Sequence, residues 1–258
     1  MFGLLFLLSF ALFLPSVAYE TSYQVPAYVA DTTASDITAR AWGVFDTENG
    51  QLLAGDAVTE ARPVASVTKL MTAQVALATL PLDATTTVSA RAVATEGRLG
   101  GLKAGDVLSI RELLFPLLLE SSNDAAEALA EYANRETFLA QMNAAARTLE
   151  LPATIFRDPS GLSPENVSTV TDLARFVTYL AHHQPYILDV SSLAEYIGTA
   201  HTWHNVDTIS TVATFRGGKH GYTDEANRTL AAVVEETMAS GDTHEFTIVL
   251  LGSDNLTA

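Results

Sequence analysis

Strand-like segments at both ends of the chain, with a helical middle, leave this 258-residue sequence few architectures to choose from. Near the start, Ala41-Trp42-Gly43-Val44-Phe45 reads as a strand, Asn49-Gly50 as a strong hairpin turn, and Gln51-Leu52-Leu53-Ala54 as the returning partner. From Thr211 onward the pattern is again β: Thr229 to Val234 and Phe246 to Leu251 are β-rich runs joined through Ser240-Gly241-Asp242. Between them Pro63 opens a segment to Leu80 whose apolar residues Val67, Leu70, Met71 and Val75 keep helical spacing. Helices are also predicted at Ile110 to Leu119, Asn123 to Tyr132, Glu136 to Leu149 and Thr171 to Leu180, the last with Thr171 as its cap. Strands that flank a run of helices define an α+β (α/β) class. The expected fold is one mainly antiparallel sheet drawn from both ends of the sequence, flanked by helices, with a helical subdomain.

Charge and composition narrow the function. The formal net charge of −16 argues against nucleic acid, because phosphate binding needs a basic face. A small anionic substrate stays possible, since one cationic pocket can sit inside an acidic protein. Lysine occurs only at Lys69, Lys103 and Lys219. Cysteine is absent, which removes thiolate chemistry and disulfides from consideration. Phe2 to Leu14 form a nearly unbroken apolar run, followed by Pro15 and by the small residues Ser16 and Ala18. This predicts a signal peptide over residues 1–18 and export, with a catalytic domain over 22–258. The run is shorter than the roughly 20 residues of a comfortable membrane span, so any membrane association is peripheral.

Three short constellations carry chemistry. In Ser66-Val67-Thr68-Lys69 the serine and lysine are three apart, hence on one helix face. A lysine so placed can take the serine proton, and a helix N-terminus under Ser66 would present N–H groups to a developing oxyanion. Ser121-Ser122-Asn123 separates two predicted helices, where serine and asparagine also serve as breaks and caps. Gly217-Gly218-Lys219-His220-Gly221 enters a β-region and could alone be a flexible turn. Each has a bland reading by itself. In this order they form the set S-x-x-K, S-x-N, K-[TS]-G of penicillin-recognising serine enzymes, with His220 at the [TS] position.

The segments around them resemble the D-alanyl-D-alanine carboxypeptidases among the low-molecular-weight penicillin-binding proteins. The similar stretches are Arg62 to Ala73, Leu118 to Ala126, Phe156 to Leu162 with Thr171 to Ala174, and Gly218 to Ala226, collinear from about Ala39 to the C-terminus. The resemblance implies the penicillin-binding/β-lactamase-like transpeptidase fold. It implies a nucleophile at Ser66, a general base at Lys69, a proton relay at Ser121, and orientation of substrate amide and lysine by Asn123. Lys219, His220, Gly221 and Tyr222 would bind substrate, Lys219 through its carboxylate, with the backbone N–H groups of Ser66 and Tyr222 as the oxyanion hole. The substrate would be a peptidoglycan stem peptide, β-lactams would inhibit, and neither metal nor organic cofactor is required.

The chain departs from that pattern in three places. His220 replaces the threonine or serine that normally follows the lysine; a neutral imidazole is expected to replace the hydroxyl by donating one hydrogen bond beside the carboxylate pocket. Asn227 stands where relatives often have glycine. The resemblance also implies a helix beyond Gly252 covering the sheet, and without it that apolar face would need another cover. The rival functions are a β-lactamase or esterase of the same fold, and a penicillin- or peptidoglycan-binding module whose turnover His220 has weakened. Among other polar residues, His201 and His204 are read as part of a strand or loop, His182-His183 as a helix end, and Glu165 as a loop residue.

Overall fold

A computed structural model describes residues 37–97, 100–198, 200–238 and 241–254. The expected signal peptide lies outside these residues. The central sheet has five antiparallel strands in the order β2-β1-β11-β10-β9: β1 Ala41–Asp46, β2 Leu52–Asp56, β9 Phe215–Thr223, β10 Asn227–Thr237 and β11 Thr243–Ser253. The first and last strands are neighbours, with Ala41 opposite Leu251 and Asp46 opposite Phe246. The β1–β2 turn is longer than its Asn-Gly pair: Asp46 N–H meets the Gln51 carbonyl at 2.9 Å, enclosing residues 47–50. Asp46 Oδ1 accepts the Glu48 N–H at 2.8 Å, and only Gly50 takes a left-handed φ, at 72°. β9, which carries the Lys219 segment, is an edge strand of this sheet.

The helices are α1 Thr68–Thr79, α2 Ala90–Val93, α3 Ile110–Leu119, α4 Asn123–Tyr132, α5 Arg135–Thr148, α6 Val170–His183 and α7 Pro185–Ser192. α3 opens on a capping box between Ser109 and Glu112, and after that first turn it is apolar and buried from Leu113 to Leu119. Its Leu113, Leu114, Leu117 and Leu118 are buried with Leu70 and Met71 of α1; each stabilises by about 2 kcal/mol. α6 packs on the inner face of the sheet, where Thr178 and Thr247 are 3.4 Å apart. Its cap is Thr169 and not Thr171: Thr169 Oγ1 accepts the Asp172 N–H at 3.0 Å, while the Thr171 hydroxyl donates to the Val58 carbonyl at 3.1 Å. Short pairs fill the connections: β3 Arg62–Pro63 with β6 Val167–Ser168, β4 Thr85–Thr87 with β5 Val107–Ser109, and β7 Glu195–Ile197 with β8 Thr202–His204; only β8, in the stretch read as strand or loop, was foreshadowed.

The outer face of the sheet is apolar. Trp42, Val44, Phe246, Ile248 and Leu250 are half-buried there, and Phe215, Leu230 and Ala232 form a small second core beside them.

Asn227 begins β10 with a φ of 54°, the left-handed region that glycine adopts freely and asparagine tolerates. The departure from glycine thus keeps the turn. Asn227→Gly is expected to change stability by less than about 1 kcal/mol, whereas Asn227→Val should cost about 1–2 kcal/mol, because β-branched residues resist positive φ. Thermal unfolding of both variants checks this.

Candidate active site

Ser66 lies in a 3-10 turn, Ala65–Val67, that runs directly into α1. Ala65 has a left-handed φ of 47°, so the chain enters the helix through a sharp elbow. Two glycines let neighbouring backbone close on it. A Cβ on Gly161 would lie 1.9 Å from the Ala65 carbonyl oxygen, and one on Gly221 of β9 would lie 2.5 Å from the Ser66 nitrogen. Thr229 of β10 donates to the Val64 carbonyl at 3.0 Å, tying the elbow to the sheet. Ser66 is half-buried, within reach of a small molecule.

One helical turn later Lys69 is wholly buried. Its Nζ donates to Ser66 Oγ at 2.9 Å, to Asn123 Oδ1 at 2.8 Å and to the Ser160 carbonyl at 2.6 Å. Those three contacts use all three ammonium donors. Asn123 is the first residue of α4, and its Nδ2 donates to the Glu96 carbonyl at 2.8 Å. The helix break is capped by Ser122, which accepts the Ala125 N–H at 2.9 Å. Ser121 precedes that cap with a left-handed φ of 59° and is buried. The first two motifs therefore meet through Lys69 and Asn123.

The third motif meets them along β9. Lys219 and Gly221 share one face of the strand, the face turned to the Ser66 elbow, and His220 and Tyr222 point to the other. Lys219 is fully buried and donates to the His220 carbonyl at 3.1 Å. Gly218 N–H is held by Ser191 Oγ of α7 at 2.8 Å. Tyr222 is exposed and its hydroxyl bonds Asp224 at 3.0 Å. His220 is half-buried, with Nδ1 2.6 Å from Oδ2 of Asp207.

Several residues that hold this arrangement were not singled out from the sequence. Asp158 folds the loop that supplies the Ser160 carbonyl: its carboxylate accepts the N–H groups of Ser160 (2.7 Å), Gly161 (2.6 Å) and Ser163 (2.6 Å). Asn166 bonds Thr68 Oγ1 at 3.1 Å, and Thr72 donates to the Pro159 carbonyl at 2.6 Å, fastening the same loop to α1. The stretch Phe156 to Leu162 was read only as part of the family resemblance, and nothing in it announced a lysine partner. Asp207 is the second omission. Burial pushes its carboxyl up, but the His220 bond and the Lys219 charge outweigh this and hold it below the ordinary carboxylate range. Elsewhere, His201 pairs with Asp106 at 3.2 Å, His204 with Glu195 at 3.3 Å, and Glu165 with Arg157 at 3.1 Å.

A serine hydroxyl at a helix start, bonded to a buried lysine one turn on and edged by a strand of an antiparallel sheet, defines a serine-type peptidase of the penicillin-binding, β-lactamase-like fold. The family model for D-alanyl-D-alanine carboxypeptidase matches residues 28–252. The chain belongs to that family. It is 32% identical over 203 residues to a D-alanyl-D-alanine carboxypeptidase of Mycobacterium tuberculosis, covering 75% of this chain and 69% of that one. It is 32% identical over 176 residues to a D-alanyl-D-alanine endopeptidase of Escherichia coli, of which it spans 56%, using 66% of its own length. Among solved structures, a D-alanyl-D-alanine carboxypeptidase from Mycobacterium tuberculosis superposes with a TM-score of 0.77 at 30% identity, covering 84% of each chain. A Streptomyces DD-transpeptidase superposes with a TM-score of 0.76 at 28% identity, covering 85% of this chain and 91% of that one.

Proposed function

We propose that this protein is an exported carboxypeptidase that removes the terminal D-alanine from peptidoglycan stem peptides through an acyl-enzyme on Ser66. The observation that carries this reading is the 2.9 Å contact between Lys69 Nζ and Ser66 Oγ, with Asn123 and Ser160 holding the amine in place. In its unprotonated form Lys69 takes the Ser66 proton along this same line. Ser66 Oγ attacks the carbonyl joining the two D-alanines, and the bond to the terminal residue's nitrogen breaks. Ser121 passes a proton to that leaving amine. Water then attacks the ester, a proton returns to Ser66 Oγ, and the shortened peptide leaves as a carboxylate. The N–H groups of Ser66 and Tyr222 stabilise the oxyanion in both steps. Lys219 takes the substrate carboxylate as a charge-assisted partner. Support for this arrangement comes from Gly221, whose lack of a side chain lets β9 lie against the Ser66 backbone. β-Lactams react at the same serine.

Export to the periplasm or cell envelope is proposed from the apolar run Phe2 to Leu14. Among the described residues no helix is long and apolar enough to cross a membrane.

Penicillin should add one mass equivalent to the protein, on the peptide containing Ala65 to Lys69. Ser66→Ala should lose that adduct and all peptide hydrolysis while keeping its thermal unfolding within about 1 kcal/mol of the parent, since only one small hydroxyl is removed. An adduct that survives in Ser66→Ala refutes the nucleophile. Rapid steady-state destruction of the β-lactam instead of a lasting adduct moves the reading to a β-lactamase.

A further inference from the structure

His220 is not a loose substitute for the hydroxyl residue that the resemblance implies. Its ring is fixed by Asp207, a residue buried to 4% exposure. Oδ2 of Asp207 lies 2.6 Å from His220 Nδ1 and accepts the His220 backbone N–H at 3.1 Å. The carboxylate is itself anchored. Its backbone N–H donates to Asn205 Oδ1 at 2.9 Å, its Oδ1 accepts the Ile209 N–H at 3.3 Å, and its carbonyl accepts the Ser210 hydroxyl at 2.6 Å. The contact to the ring is short but bent away from the ring's N–H direction, an ion-pair approach instead of a linear hydrogen bond. At 2.6 Å an Nδ1 without hydrogen would set its lone pair against the carboxylate's charge, whereas an N–H turns its positive end toward Oδ2 even off axis, which favours the proton on Nδ1.

With its proton on Nδ1, the neutral imidazole has none to donate to the substrate from Nε2, whose lone pair a carboxylate avoids. Protonation of the ring turns Nε2 into a donor. We propose that Asp207 is a positioning residue for carboxylate recognition: by holding the proton of His220 on Nδ1, it makes the imidazole repel a substrate carboxylate when neutral and bind it when charged, so that recognition strengthens in acid. This rests on the reading that Lys219 and the residue after it receive the carboxylate.

The other charges around β9 do not displace Asp207 from that part. Lys69 of α1 is bonded to Ser66, Arg216 on β9 pairs with Glu235 of β10, and Arg228 of β10 lies over the Tyr222 ring at 5.5 Å. Asp189 of α7 and Glu236 of β10 are exposed, and the residue opposite His220 on β10 is Leu230.

The test combines kinetics and spectroscopy on the full chain. For a peptide ending in D-alanyl-D-alanine, KM of the parent should rise about tenfold from pH 5.5 to pH 8, read apart from kcat, which carries the general-base step. His220→Thr should flatten the profile. Asp207→Asn removes the carboxylate that orients the ring and should change that pH dependence. Nitrogen-15 NMR of the parent above the ring's titration should show the Nδ1–H tautomer at His220. An Nε2–H tautomer there, or an Asp207→Asn profile that superposes on the parent's, overturns the proposal. Failure of the parent to hydrolyse the peptide or to form a Ser66 adduct would instead strike the carboxypeptidase reading, while the tautomer still judges Asp207.

Discussion

Lys69→Met is expected to slow acylation of Ser66 by about 10³-fold or more, the range typical for loss of a positioned general base. Methionine keeps most of the buried stem volume, so the lost element is the amine. Three acceptors then lose their donor together: Ser66 Oγ, Asn123 Oδ1 and the Ser160 carbonyl, now bonded at 2.9, 2.8 and 2.6 Å. Unsatisfied buried acceptors cost about 1–3 kcal/mol each, but removing a buried amine also removes its own desolvation penalty, so the net change in stability should be small beside the kinetic loss. The measurement is the rate of adduct formation with a β-lactam, read by intact mass, against thermal unfolding of the same variant. A rate within tenfold of the parent's would show that another group takes the serine proton, and the assignment of Lys69 would be abandoned.

The parts of this molecule that could be read before its structure are those set by local rules. Ile110 to Leu119 and Asn123 to Tyr132 were expected helices and are helices over those residues, because apolar residues from Leu113 to Leu119 and serine caps at Ser109 and Ser122 leave little choice. The sheet from both ends was legible because β-rich runs at Ala41 and Phe246 needed partners, and each is the other's partner. α7 and all of the short strands but β8 were missed. They are brief and carry little periodicity of their own; α7, for instance, buries Ile187, Leu188 and Val190 in the shared core, which tertiary packing and not local pattern decides.

At the site the division is similar. Ser66, Lys69, Ser121, Asn123 and Lys219 stood out as spaced residue types, and the fold bonds Ser66, Lys69 and Asn123 directly. What could not be read was the supporting shell. Lys69 meets a backbone carbonyl at Ser160, 91 positions away, and no residue type encodes a backbone acceptor. Asp207 sits 13 residues before His220, in a turn without periodicity, and only the strand that returns as β9 brings the two together. The imidazole's unusual feature is thus a long-range one: its identity was visible in sequence, its carboxylate neighbour was not.

Gly161→Ala should be the most damaging single-carbon change in the protein. Gly161 has a φ of 88°, which an alanine side chain resists, and the added Cβ would run into the Ala65–Ser66 peptide: the Ala65 oxygen at 1.9 Å, the Ala65 carbon at 2.4 Å and the Ser66 nitrogen at 2.9 Å. None of these is the end of a flexible side chain, so either the Asp158 loop or the nucleophile elbow must move. The loop is held by the Asp158 carboxylate and by Thr72, and its Ser160 carbonyl is bonded to Lys69, so moving it withdraws a lysine partner. Destabilisation of about 3 kcal/mol or more is expected, with at least about 10²-fold slower acylation, because a displacement near 1 Å at a reacting centre costs that much. Gly105→Ala is the control. Gly105 has a φ of 97° but open space around it, so alanine there meets only backbone strain, about 1 kcal/mol, and should leave acylation unchanged. If the two variants lose equal stability in thermal unfolding and acylate at equal rates, the close approach of the Gly161 loop to Ser66 does not hold the site, and the elbow must be fixed from the sheet side alone.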